Sequence, residues 1–439
     1  MNTTVWDQLA RHHRDGTPAL LHAWDSSTGT PPLDSRLAYR TMAAAAAPFR
    51  AGTRFRALPD VVFLVDSGCI GAPGDLLPGP DDTTAADYHE RLDARLPDQG
   101  RLLAVEQPLV LDFVLWSQTR DLIAPLWQRI GTPVLPVVTE LLAGGGLTVP
   151  AAPGGEETHA TVTLVLHGGL TARLRAARQR AGDDGGSDAH TLRAGVGDLV
   201  YRPAHYRDEV RYQPRTLALR LRIPVDPRLL HRAVEDVLSG LLQERRYGSD
   251  DAVPYLDDAP TEDPLAALPD VRPLTATAAA LGHERESPRL ERVLRILWAR
   301  RAGAGGLEPV PPPRQTPPTP EAGQRVRVTA PVLRMPEGDG WIWAVNGHAF
   351  ALRGQSGERL LELLREHATD APTVGELCGQ LPRSSHAGAL ALLRKLHALR
   401  AVDLMDGPAD GPPQEPPPDA GESAAAVGSR PRQEKEPTP

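Results

Sequence analysis

Apolar and polar positions change their spacing several times along the chain, and each change marks an expected element. Residues 5–14 carry apolar side chains at helical spacing, and Pro18-Ala19-Leu20-Leu21-His22 follows as a short apolar run. The segment 54–66 centres on Val61-Val62-Phe63-Leu64-Val65, the pattern of a buried strand ended at Ser67-Gly68. Thr83 or Thr84 is placed to cap a helix that runs through Leu96 and stops at Pro97. Residues 102–105 and 109–111 are short apolar stretches, and 120–130 returns to helical spacing.

From residue 137 the pattern becomes a series of short strands at 137–142, 147–149, 161–166, 170–174, 197–201 and 216–223. Turns such as Gly144-Gly145-Gly146 and Gly182-Asp183-Asp184-Gly185-Gly186 separate them. Strands this short and close predict a barrel or sandwich core over residues 137–224. The period then switches to 3.6. Asp226 is a candidate N-cap with Pro227 at the first helical position. Leu229, Leu230, Ala233, Val234, Val237, Leu238, Leu241 and Leu242 form a wide apolar stripe. A second such helix starts at Ser287-Pro288 and carries Leu290, Val293, Leu294, Leu297 and Trp298, and the stretch 248–264 between them is acidic and loop-like. Stripes this wide need a partner, so residues 226–302 are expected to form a helical packing or dimerisation layer.

Residues 303–324 hold seven prolines, among them Pro311, Pro312 and Pro313, and predict a semi-rigid linker. Beyond it, strands are expected at 325–335 and 341–345, a hairpin at Asn346-Gly347 and a return strand at 348–352. Helices follow at 358–367, at 373–381 with a Thr373-x-x-Glu376 capping box, and at 385–399, before a last strand at 402–405. Strands, three helices and a closing strand within residues 325–405 fit a winged-helix-like module. Residues 406–439 are Pro, Gly, Glu and Ala with almost no large apolar side chain, and a disordered tail is expected there.

Composition narrows the function more than the fold. The 439 residues suggest two or three domains, with 41% hydrophobic side chains to fill their cores. A net charge of -8 argues against a general nucleic-acid or membrane-surface binder, because both need a basic footprint. There is no apolar run of membrane-spanning length. The start, Met1-Asn2-Thr3-Thr4-Val5-Trp6, lacks a signal-peptide pattern. Cys69 and Cys378 stand far apart and outside any CxxC, as two idle thiols in a reducing compartment would, and a cytoplasmic protein is expected.

The common phosphate-loop, zinc-protease and hydrolase motifs are absent. Two segments of the strand-rich core carry candidate chemistry. One runs from Gly154-Gly155-Glu156-Glu157-Thr158-His159-Ala160-Thr161 into a strand ending at His167-Gly168-Gly169. The other is Gly197-Asp198-Leu199-Val200-Tyr201-Arg202-Pro203-Ala204-His205-Tyr206-Arg207-Asp208-Glu209-Val210. The second resembles the cupin motif in which GDxxYxP and a tight turn lead to a histidine followed by Glu-Val. The first resembles the strand that begins with a His-x-Asp pair and ends in a Gln-x-x-Gly-like turn. Together, and with the order of parts from about residue 5 to 405, they resemble the bacterial JmjC/cupin-like 2-oxoglutarate oxygenases of the ribosomal-oxygenase group.

That resemblance implies an α+β chain. A double-stranded β-helix barrel with N-terminal helices would occupy 1–225, a helical dimerisation region 226–302, a linker 303–324 and a winged-helix-like domain 325–405, before the tail 406–439. It also implies Fe(II) held by two imidazoles and a carboxylate, with 2-oxoglutarate as cosubstrate. Asp208 stands where the second histidine is expected. Counting back from His167 puts Glu157 and His159 on the first two ligand positions, giving a metal set of Glu157, His159 and Asp208. In the alternative register His159 is the first ligand, and Thr161 replaces the carboxylate. His205 is a spare imidazole on the turn.

Arg173 and Arg220, together with His167, are candidates to bind the cosubstrate; Arg175 and Arg222 also lie on the strands, and an inward arginine can grip a dicarboxylate bidentately. Three functions follow as alternatives. The first is a protein or peptide hydroxylase. The second is a non-catalytic relative that binds a peptide or protein, and in both a homodimer is expected. The third is a DNA-binding regulator using Arg394, Lys395 and Arg400, which the acidic balance disfavours. The cluster Arg289, Arg292, Arg295, Arg300 and Arg301 reads as the solvated face of its helix.

Overall fold

The computed structural model describes residues 3–22, 33–52, 59–150, 158–176, 189–245, 279, 281–283, 285–338, 340–352, 355–367 and 369–406. The expected acidic loop at 248–264, the turn at 182–186 and the tail beyond Asp406 lie outside them.

Among the described residues four α-helices precede the barrel: α1 (Thr3–Asp15), α2 (Ser35–Arg50), α3 (Ala85–Arg95) and α4 (Phe113–Ile130). Of the two expected caps, Thr83 and Thr84, it is Thr84 that caps α3, and Asp87 completes a capping box with it. Helix α2 had no counterpart in the expected elements. Asp34 caps it, and its alanine-rich stretch buries Ala38, Met42 and Ala46.

Twelve strands follow the order β1 (Ala19–His22), β2 (Asp60–Val65), β3 (Gly68–Ile70), β4 (Arg101–Glu106), β5 (Val138–Gly145), β6 (Thr148–Val149), β7 (His159–His167), β8 (Leu170–Ala176), β9 (His190–Ala194), β10 (Asp198–Arg202), β11 (Tyr206–Tyr212) and β12 (Thr216–Pro224). Strands β5 to β12 divide between two antiparallel sheets, alternating except at the β8–β9 hairpin. One contains β5-β12-β7-β10, the other is β6-β11-β8-β9, so the first and last strands of the set are neighbours. That is the strand order of a jelly roll, the double-stranded β-helix of cupin-like proteins. Strands β4, β2 and β3 extend the larger sheet at one edge and β1 extends it at the other.

Both faces of the larger sheet are covered, which is why its strands show so little polar alternation. Val162, Leu164, Leu199, Tyr201, Leu219 and Leu221 pack outward into the core shared with α1, α2 and α4. Alternate residues such as Leu142, Val165, Val200 and Ala218 point inward against Leu170, Ala172 and Leu174 of the smaller sheet. The β7–β8 turn needs Gly168, whose φ is +68° and where a Cβ would lie 2.9 Å from the Thr216 backbone.

After the barrel come α5 (Pro227–Arg245) and α6 (Pro288–Gly303). The C-terminal part comprises β13 (Arg325–Val328), β14 (Leu333–Glu337), β15 (Gly340–Val345), β16 (His348–Ala351), α7 (Gln355–Glu366), α8 (Val374–Gly379), α9 (His386–Ala398) and β17 (Val402–Met405). Strand β13 pairs with β17, and β14-β15-β16 form a meander. The expected single strand at 325–335 is two strands in different sheets. Asn346 and Gly347 form the expected hairpin turn at φ 47° and 78°.

The proline-rich segment is packed at its start. Ala304 and Leu307 are buried with Trp116 and Leu126. Trp127 Nε1 donates to the Gly305 carbonyl at 2.9 Å, and Arg314 N, midway along the segment, donates to the Ala398 carbonyl. The strap thereby ties α4 to the C-terminal part. No helix among the described residues is long and apolar enough to cross a membrane.

Candidate functional site

The barrel interior changes character along its axis. One end is apolar, lined by Leu142, Val165, Leu170 and Ala172. At the other end, strand register lines up two rows of inward side chains. Arg202, Thr161 and Arg222 stand side by side on β10, β7 and β12. The next row runs Val200, Thr163, Arg220, Glu140, Glu106 across β10, β7, β12, β5 and β4. His159 continues the inward series on β7, two positions before Thr161. Asp208 enters from β11 in the opposite sheet, opposite Leu174.

These charges pair with one another. Arg202 Nε lies 3.4 Å from Asp208 Oδ1, and Arg202 Nη1 donates to the Tyr206 carbonyl at 2.7 Å. The Arg202 side chain is 5% exposed and that of Asp208 24%, so this pair sits in the wall of the barrel. Arg220 is hydrogen-bonded through Nε to Glu140, and Arg222 reaches Glu140 at 3.2 Å and Glu106 at 3.5 Å. Burial works to raise the Glu140 carboxyl, but Arg220 and Arg222 together hold it below its usual range. Burial and then the Arg222 and Arg202 guanidiniums push the His159 imidazole down, towards its neutral form.

Thr161, Thr163, Arg202, Asp208, Tyr212 and Arg220 enclose a cavity of about 20 Å³. That is room for a water, which needs about 10–15 Å³, and far below the roughly 300–1,000 Å³ of small-molecule pockets.

The sequence candidates are only partly brought together. His159, Asp208 and Arg220 share the barrel interior, and Glu157 lies outside the described residues. His159 Nδ1 is engaged by Thr158 Oγ1 at 2.8 Å. His167 is exposed at the end of β7. Arg173, expected to face the cosubstrate, points the other way: Leu170, Ala172 and Leu174 take the inward positions of β8, which leaves Arg173 on the outer face with 59% of its side chain exposed. Arg175 shares that outer face.

A 2-His-1-carboxylate iron site needs three donors converging on open space. Among the described residues no three His, Cys, Asp or Glu side chains converge in this way. The immediate neighbours of His159 and Asp208 are guanidiniums, which repel a dication. His159 and Asp208, set among guanidiniums, do not by themselves fit the metal, and Glu157 lies outside the described residues. The described residues do not fit 2-oxoglutarate either, since the cavity is too small and Arg220 is already held by Glu140.

Arg202 and Glu140 escaped the sequence reading. Strand alternation was the available signal: with Leu199 and Tyr201 outward, Arg202 must point inward, and Glu140 interrupts an otherwise apolar strand.

No family profile and no curated protein matches the chain. Solved structures similar to it include the Escherichia coli ribosomal oxygenase YcfD with cobalt and succinic acid, at 15% identity and a TM-score of 0.48, covering 91% of this chain and 98% of that one. The same protein with cobalt and 2-oxoglutarate is similar at 15% identity and a TM-score of 0.45, with 91% and 98% covered. A further structure of E. coli YcfD gives 15%, 0.49, 92% and 98%.

Proposed function

We propose that this chain is a non-catalytic relative of the JmjC/cupin-like oxygenases, a homodimeric barrel protein that binds a protein or peptide partner. The observation that carries the reading is the ion pair of Arg202 with Asp208, at the position where the sequence resemblance puts a metal ligand. Arginine stays charged at every working pH, so this corner holds a permanent cation of its own. The motif that resembles the oxygenases has structural work that needs no metal. Asp198 accepts from Gly195 N at 2.8 Å and pairs with His22 at 2.8 Å, fixing the turn into β10 and the attachment of β1.

The C-terminal part is read as a winged-helix-like module used for docking rather than for DNA. Two of its candidate contacts are spent on packing: Lys395 lies over the Phe350 ring at 4.8 Å and Arg400 over Phe113 at 4.3 Å. Helix α5 supports the dimer. Of its apolar stripe only Leu241 is buried within the chain, while Leu230 is 45% exposed.

One observation favours the hydroxylase reading with Fe(II) and 2-oxoglutarate: His159 and Asp208 do open into the same end of the barrel. Conversion of 2-oxoglutarate to succinate with added Fe(II) separates the two. The expected result is no turnover above a heat-denatured control, with or without peptide. Turnover that disappears in His159→Ala would overturn the proposal. Sedimentation of the full chain as a monomer would remove the dimer from it.

A further inference from the structure

The outer face of the smaller sheet has a composition at odds with the rest of this acidic chain. Register places Arg207 directly opposite Arg175, Glu209 opposite Arg173, and Arg211 opposite Thr171. On the next strand Thr191 stands opposite Arg173 and Arg193 opposite Thr171, and Thr148 of β6 flanks Arg211. All of these alternate with the inward series Leu170, Ala172, Leu174, Asp208 and Val210, so they share one face. Among the described residues five arginines stand there against one carboxylate.

Arg173, Arg175, Arg193 and Arg211 are exposed. Glu209 reaches Arg173 at 3.7 Å. Among the described residues Arg175, Arg193, Arg207 and Arg211 have no carboxylate partner. Arg207 Nε is buried without a hydrogen bond. Like charges directly opposite on neighbouring strands are destabilising, so Arg175 and Arg207 impose a cost that a bound anion removes.

We infer that this face docks an acidic segment of a partner protein. Carboxylates match the arginine forks bidentately, and the threonines between them add hydroxyl donors. A nucleic acid is the poorer fit. Among the described residues the face carries no aromatic side chain on which bases can stack, and the net charge of -8 repels an extended polyanion beyond the patch. The inference does not rest on what the barrel interior binds.

Binding of a labelled short poly-glutamate peptide to the full chain, at low and at physiological salt, tests it, with an RNA duplex measured in parallel. The peptide is expected to bind, to weaken with salt, and to lose about tenfold or more in affinity in Arg175→Glu/Arg207→Glu. Circular dichroism checks that this variant folds; if it does not, Arg193→Glu/Arg211→Glu, at two exposed positions flanking Thr171, replaces it. Preference for the duplex, affinity unchanged in the folded variant, or no binding of the peptide overturns the inference.

Discussion

Arg202 and Asp208 meet within the barrel wall, Nε 3.4 Å from Oδ1, across the turn that joins β10 to β11. Removing one partner of such a pair leaves a charge stranded in a place water barely reaches. Asp208→Ala is therefore expected to lower the free energy of unfolding by about 3 kcal/mol, read from urea melts. Unchanged or increased stability in this variant would mean that Asp208 is held in an unfavourable place, as an empty metal ligand would be.

Glu140 bridges Arg220 and Arg222, and its side chain is 9% exposed. Because its carboxyl is held below the usual range, its contribution is fully present above the unfolded value of about 4.3 and is lost as pH falls through the lower folded one. Glu140→Gln is expected to cost about 2 kcal/mol at neutral pH. The gap between variant and wild type should close on acidification, and a gap that persists to about pH 2 contradicts the assignment.

His89 is 1% exposed, with both ring nitrogens buried. Burial first, and the Arg101 guanidinium second, push its imidazole down to about 4. The unfolded chain binds this proton near pH 6.5 and the folded one does not until about pH 4, so stability falls as pH drops through that window. His89→Phe is expected to reduce the slope there, by up to about 3 kcal/mol over the window. A chemical-denaturation series across it that superimposes on the wild type rules this out.

Gly347 sits at φ 78° under the proline-rich strap, where an added Cβ would strike Val310. Gly347→Ala is expected to destabilise by about 2 kcal/mol or more. Gly338, at φ 55° with open space around it, supplies the control. Gly338→Ala carries the backbone strain without the clash and should shift the melting temperature less.

Much of the fold was legible from residue patterns because local rules decide it. Thr83 and Thr84 announce one helix as N-cap candidates and Thr373 another through its capping box, Asn346-Gly347 specifies its hairpin, and the close-spaced strands from residue 137 mark the barrel. The site was less legible for a definite reason. Strand β7 is buried on both faces, inside by the smaller sheet and outside by helices, so polarity does not say which of His159, Ala160 and Thr161 points inward. Arg173 and Arg220 are alike as strand arginines, yet only register separates an inward guanidinium from one in solvent. The pairing of Arg202 with Asp208 depends on the same register. The proline-rich segment is ambiguous in another way: its composition suits a free spacer, and it is the shape of the groove beside Trp116 and Trp127 that holds its start in place.

Metal content tests most directly whether the barrel interior is an ion-paired wall or a metal site. Full-length protein purified without chelator is expected to carry only substoichiometric iron, manganese or zinc, and to keep its melting temperature when a chelator is added. Near-stoichiometric metal, with a chelator-induced fall in melting temperature that Asp208→Ala abolishes, would contradict it.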